Sequence, residues 1–129
     1  MLAVDTNVVV RFLTGDEPVQ AARARAIFQR ETVLLVKTVV LETEWVLRSL
    51  YRFDPVRIVD AVTSLVALPN VVCEDIENVV NAIEWVRAGM DFADALHLAS
   101  ARPAGRFATF DRKLIEGAGN IADITAVEA

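Results

Sequence analysis

Cysteine occurs once in the 129 residues, at Cys73, so no disulfide can form within the chain. The thiol sits in the apolar stretch VVC, where a buried and unreactive side chain is the ordinary outcome. Such cysteine use fits a reducing cytoplasm. Histidine also occurs once, as His97, with no partners spaced for a zinc cluster or a Ser-His-Asp triad. It reads as a helix-surface or packing residue. Phosphate loops, GxGxxG and HExxH are missing. No apolar run approaches the roughly 20 residues of a membrane span, and Lys37 interrupts the longest candidate, 33–41. MLAVDTN lacks a basic region followed by an apolar stretch, so it reads as a strand from residue one rather than a signal peptide. No repeat, low-complexity segment or linker is visible, and the length fits one domain spanning 1–129.

Positive charge is in deficit. Lys and Arg number 13 against 18 Asp and Glu, a net charge of −5. That argues against general binding to duplex phosphates but not against a nuclease, because a divalent ion would halve the charge of four clustered carboxylates. Apolar residues are abundant instead, at 54%, with mean hydropathy +0.39. A sizeable core follows, with apolar surface left for a partner.

Short apolar strands alternate with helical segments. Strands are expected at 1–4, 33–36, 71–73, 107–109 and 121–127. Helices are expected at 8–13, from Asp16-Glu17-Pro18 to 30, from a Thr38 cap to 52, and from Asp54-Pro55 to 68. Others run from Asp75 to 89 and from Asp91 to 102, with a helical turn at 112–116. This is the pattern of an α/β domain with a mainly parallel sheet, in which ligands bind at the carboxyl ends of strands.

Four acids stand out. Asp5 follows MLAV, Glu42 lies within VVLETEWVL, Asp94 within DFADAL, and Asp111 follows FATF. Carboxylates beside a core are costly unless paired, hydrogen-bonded or bound to metal. Four such sites point to one pocket assembled by folding, and oxygen-only ligands favour Mg²⁺ or Mn²⁺. Each acid also has a plainer reading. Asp5 and Asp111 suit helix caps, and Asp91-x-x-Asp94 suits a variant capping box. The helix start favours an ionised Asp94 by roughly 0.3–1 kcal/mol. At about 100° per residue, Glu44 projects with Arg48 as an ordinary solvated i,i+4 pair, whereas Glu42 has no such explanation.

The segments VDTNVVVRFL, VVLETEWVLRS, DFADALHLASA and FATFDRKL occur in this order across almost the whole chain. In that order they resemble the PIN-domain family of metal-dependent nucleases, and more closely the VapC-type toxins of type II toxin–antitoxin modules. The resemblance implies a three-layer α/β/α domain with a mainly parallel five-stranded sheet. It puts the metal-binding acids on Asp5, Glu42, Asp94 and Asp111. Thr6, Asn7 and Thr109 match supporting polar positions, and Asp91 an auxiliary acid. Also implied are RNA as substrate, homodimers, and a small VapB-type antitoxin through which DNA is contacted only indirectly.

The corresponding chemistry is hydrolysis of an RNA phosphodiester by water activated at one or two divalent ions. Asp5, Asp94 and Asp111 would bind metal. Glu42 would complete the shell through water or help take the proton. Arg11 and Arg112 either reach phosphates or are solvated surface arginines. Rival readings are weaker. An aspartyl phosphatase wants a second Asp two residues after the first, and position 7 is Asn. A receiver-like module needs a pair of early acids and a lysine at a strand end, and here there is one early acid. The complete acidic set argues against an inactive PIN domain that serves only in assembly.

Overall fold

Two compact units, Met1–Ile76 and Glu77–Ala129, make up the chain in a computed structural model that describes residues 1–129. The N-terminal unit is organised by three short parallel strands, β1 (Leu2–Ala3), β2 (Val33–Leu35) and β3 (Val71–Cys73), in the order β1-β2-β3. Leu2 pairs with Val33, which in turn pairs with Val71. The helices α1 (Thr6–Thr14), α2 (Pro18–Arg30), α3 (Lys37–Ser49) and α4 (Pro55–Val66) connect them. Val9, Val10, Val33, Leu35, Leu47, Ile58 and Val62 are buried, and Phe12 stacks on Phe28 at 4.0 Å between ring centroids. The Asn70 amide donates to the carbonyls of Phe28 and Glu31, tying the segment before β3 to the end of α2.

Local chemistry sets the boundaries. Asp5 caps α1, and Gly15, at φ 65, closes it with an N–H to the Arg11 carbonyl. Only glycine enters that left-handed region without steric cost. Glu17 caps α2 ahead of Pro18, and Asp54 caps α4 ahead of Pro55. The expected Thr38 cap is not used. Helix α3 starts at Lys37, after Val36, which offers no side-chain oxygen. The first-turn donor is met instead by Glu74, whose Oε1 accepts from the Lys37 N–H at 2.6 Å. A residue just past β3 thus performs the capping that Thr38 was expected to perform.

The C-terminal unit contains α5 (Ile76–Arg87) from its second residue, α6 (Phe92–Ser100), β4 (Arg106–Thr109), α7 (Arg112–Ile121) and β5 (Thr125–Glu128). A 3-10 turn at Arg102–Ala104 precedes β4. Strands β4 and β5 pair in parallel from Arg106↔Thr125 to Thr109↔Glu128. Val79, Ala82, Ile83, Phe92, Leu96, Leu98, Leu114 and Ala118 are buried. Arg102 donates to Asn78 at 3.1 Å and to Asp123 at 2.6 Å, joining the start of α5 to the approach to β5.

The α/β class and the five parallel strands match expectation. The ladders are nevertheless two, of three and two strands, rather than one continuous five-stranded sheet. Each strand is only two to four residues long, and β1 contributes two paired residues, which leaves little ladder to extend. The turn expected at 112–116 is a ten-residue helix. Gly117 and Gly119 weaken it by about 1 kcal/mol each relative to alanine, but the Asp111 cap and burial of Leu114 and Ala118 oppose that loss. The last strand is correspondingly shorter than 121–127.

Because Glu74 rather than Thr38 meets the first turn of α3, Glu74→Ala should lower the unfolding free energy by about 1 kcal/mol, a normal cap loss. Thr38→Ala should leave it within about 0.5 kcal/mol. Urea unfolding of both variants checks this, and equal losses would return the cap to Thr38.

Candidate metal centre

In the N-terminal unit, Asp5 sits between β1 and α1 with extended backbone, φ −80 and ψ 161. Its Oδ1 accepts from the Thr6 N–H at 2.7 Å, and its carbonyl accepts from Val8 and Val9. One carboxylate oxygen is therefore engaged by the helix start, which fixes the direction of the other. Thr6 is buried, and its hydroxyl donates to Glu42 Oε1 at 2.5 Å. Thr6 thus links the Asp5 segment to Glu42 on α3, which is 36 residues away in sequence. Asn7 is exposed beside them on α1.

Glu42 and Glu44 do fall on different faces of α3, but their environments are the reverse of expectation. Glu42 is exposed. Glu44 is buried, 4% exposed, and its carboxylate takes Arg48 Nε at 3.0 Å and Nη2 at 3.4 Å. The signal was in the sequence: Val40, Thr43, Glu44 and Leu47 stand at i, i+3, i+4 and i+7, one buried helical stripe. Burial of Glu44 is offset by the forked arginine contact. Glu42 is free of that duty, so its unshared oxygen is open to a ligand.

In the C-terminal unit, Asp91 caps α6, its Oδ2 accepting from the Asp94 N–H at 3.1 Å. Asp94 lies in the first turn and is only partly exposed. Its carboxyl is pushed above the ordinary value by desolvation, then by the charges of Asp91 and Asp111, against a smaller pull from His97. The expectation that the helix start keeps Asp94 readily ionised is thus opposed by burial and by two neighbouring anions. Asp111 caps α7, its Oδ1 accepting from Lys113 at 2.9 Å and Leu114 at 3.2 Å. The Asp111 N–H donates in turn to the Thr109 hydroxyl at 3.0 Å. Thr109, at the end of β4, therefore sets the position of the acid.

The two arginines differ. Arg11 is engaged by its own unit: Nε donates to Gln20 at 2.9 Å, and Nη1 donates to Tyr51 at 2.8 Å and Asp16 at 3.3 Å. Tyr51 also donates to Asp16, which, with Thr14 and Arg11, holds that carboxyl below its usual range. Arg112 is exposed and pairs with Glu128 at 3.3 Å. Cys73 is buried, and desolvation, with Glu74 and Asp75 nearby, raises its thiol to about 11, so it is inert as a nucleophile.

The donor chemistry fits a hard divalent cation. Asp5 and Glu42 in one unit, and Asp91, Asp94 and Asp111 in the other, offer oxygen only, and Asp94 feels two anions with one weak counter-charge. No three His, Cys, Asp or Glu side chains are grouped so as to hold a metal ion.

A carboxyl whose pKa is raised by folding binds its proton more tightly in the folded chain. Above both values it is ionised in both states and the penalty weighs fully on the fold. Below the ordinary value of 3.8 the penalty is gone. Asp94→Asn should therefore raise the urea midpoint of the metal-free chain at neutral pH. The gain should shrink as the pH falls toward 3.8. A lower midpoint at neutral pH would mean that Asp94 supports the helix start more than its neighbours repel it.

Comparison with curated proteins gives no match. The PIN domain does match, over residues 2–120, across both units and through every residue of the acidic set. With nearly the whole chain inside that match, this protein belongs to the PIN domain family, whose members are generally nucleases that use divalent metals.

Proposed function

We propose that the protein is a Mg²⁺- or Mn²⁺-dependent endoribonuclease, the toxin of a VapBC-type module, with Asp5, Glu42, Asp94 and Asp111 acting together as its metal-binding acids. The observation that carries this reading is the anionic start of α6. Asp94 is partly desolvated and is repelled by Asp91 and Asp111, and the charge that opposes them at its carboxyl is that of His97. A divalent cation relieves such repulsion.

Each residue then has a task. Asp5 and Asp111 spend one oxygen on a helix start and present the other. Thr6 holds Glu42 by Oε1, which directs Oε2 toward a ligand or a proton. Thr109 fixes Asp111 through its backbone N–H. Asp91 caps α6 and adds negative charge as an auxiliary acid, and Asn7 is an exposed polar neighbour of the Asp5 segment. When bound, the metal supplies charge for the phosphoryl oxygens and acidifies water for in-line attack. Arg112 reaches phosphate at little cost, because its exposed pair with Glu128 contributes little. Arg11 is a stabilising residue of the α1–α2 corner in this scheme.

The toxin assignment draws support from apolar surface on the N-terminal helices. Val19 on α2, Trp45 on α3 and Leu50 just beyond α3 are 61%, 51% and 67% exposed. A VapB-type antitoxin that buries the 8–30 and 39–52 region, and brings a cation to the acids, would block both metal and RNA. No helix is long and apolar enough to cross a membrane. A homodimer acting in the cytoplasm completes the proposal.

Purified chain should cleave single-stranded RNA with Mg²⁺ or Mn²⁺ and lose cleavage in EDTA. Asp94→Asn should reduce the rate by more than roughly 100-fold, beyond the usual effect of losing a metal's supporting partner. In cells, the wild-type chain should arrest growth and Asp5→Ala should relieve the arrest at equal soluble level. Metal-dependent cleavage without arrest would leave a nuclease that is not a toxin. Cleavage unaffected by EDTA and by Asp94→Asn would remove the metal-centre reading.

A further inference from the structure

Phe110 is the most exposed large apolar residue of the chain, at 84%. Full exposure of a phenylalanine gives up the burial that such a ring usually gains on folding. Its position is not left to chance. Thr109, before it, is paired in β4 and accepts a backbone bond from Ala129 at 2.9 Å. Asp111, after it, donates to the Thr109 hydroxyl and caps α7. The backbone on both sides is anchored while the ring is in solvent.

Its neighbours say what the ring suits. Asp111, Arg112 and Lys113 follow it, all exposed and all charged. In the same unit the only other exposed large apolar residue is Val80, at 43%, about half as exposed. A protein-docking face would be a contiguous apolar patch. A single flat ring among charges instead suits one flat, polar-edged partner attached to a phosphate. Bases of single-stranded RNA stack on such aromatic side chains, while cations beside them follow the backbone. The Cα of Phe110 lies about 3.8 Å from that of Asp111, so a stacked base would bring its own phosphate into the neighbourhood of that acid.

We infer that Phe110 is a base-stacking platform that selects unpaired RNA and seats one nucleobase next to Asp111. The inference rests on the ribonuclease reading above and names the residue that would favour the unpaired strands expected there. Duplex RNA, with its bases already stacked and paired, cannot offer that face. Phe110 is a binding and specificity residue, and the acids perform the chemistry.

The test uses the full chain, a short randomised fluorescein-labelled RNA, the same pool annealed to its complement, and an abasic strand of equal length. Binding is read by anisotropy in EDTA, and cleavage is read with Mn²⁺. Phe110→Ala should weaken single-strand binding by roughly 5- to 100-fold, the usual range for loss of one base stack. It should raise KM with kcat little changed, because uniform binding is lost. Phe110→Trp should keep the affinity, and Phe110→Leu should lose nearly as much as alanine. Binding to duplex and abasic strands should be weak and indifferent to all three changes. Equal single-strand binding by Phe110→Ala and wild type overturns the inference, as does wild-type affinity in Phe110→Leu. A change confined to the apparent mass on gel filtration assigns the ring to self-association and likewise overturns it. If RNA binds with the expected dependence on Phe110 but no metal yields cleavage, the ribonuclease reading fails and the stacking platform stands. If cleavage occurs and Phe110→Ala leaves KM unchanged, only the platform fails.

Discussion

A carboxylate that caps a helix uses one oxygen and keeps one. Much of the candidate site depends on that constraint. Asp5, Asp91 and Asp111 each accept a backbone N–H from the first turn of the helix they precede. The bond satisfies a donor that the helix cannot satisfy itself. It also removes rotational freedom from the side chain, so the second oxygen is held in place by the same contact that starts the helix. The capping and ligand readings of these residues are therefore compatible. Thr6 and Thr109 extend the device by one step, the first holding Glu42 and the second holding the backbone of Asp111.

The fold supplies starting points for those helices with very little sheet. Strands of two to four residues are enough to aim the chain, because each of β1 to β4 is separated by at most two residues from a helix whose first turn needs a partner. β1 leads to Asp5, β4 leads to Asp111, and β3 leads to Glu74, which serves the start of α3. Two of these three chain exits from parallel strands carry acids of the candidate set. That is where an α/β domain ordinarily places its ligand-binding groups.

What the sequence made legible followed the range of each interaction. Caps formed by the residue just before a helix were readable at Asp5, Asp54, Asp91 and Asp111, since donor and acceptor lie within three residues. The cap of α3 was not, because Glu74 is 37 residues from the N–H it serves. Thr38 offers only the nearest side-chain oxygen in sequence. Glu44 departs from expectation for a different reason. Its arginine partner one turn on suggested solvent, while the apolar stripe it shares with Val40 and Leu47 put it inside. Helical pairing identifies a neighbour but not which side of the helix faces water. The length of α7 was hidden by two glycines whose cost is local, while the burial that offsets it comes from tertiary packing. The order of motifs fixed the family, and the membership of the acidic set followed from it rather than from any single spacing.

Charge is distributed so that several of the chain's cations are committed before a ligand arrives. Arg11 serves Asp16, Gln20 and Tyr51. Lys37 serves Asp75, Arg48 serves Glu44, and Arg102 serves Asp123. The consequence is visible at both ends of the balance. Asp16 and Asp123, hydrogen-bonded and paired, have carboxyls held below their usual range, whereas Asp94, desolvated by burial and repelled by Asp91 and Asp111, has one held above it. A fold optimised only for stability would place a lysine or arginine beside Asp94. Leaving it with His97 keeps the start of α6 short of positive charge. Because Asp91 and Asp111 are anchored to backbone N–H groups, that shortage is built into the fold rather than made by mobile side chains.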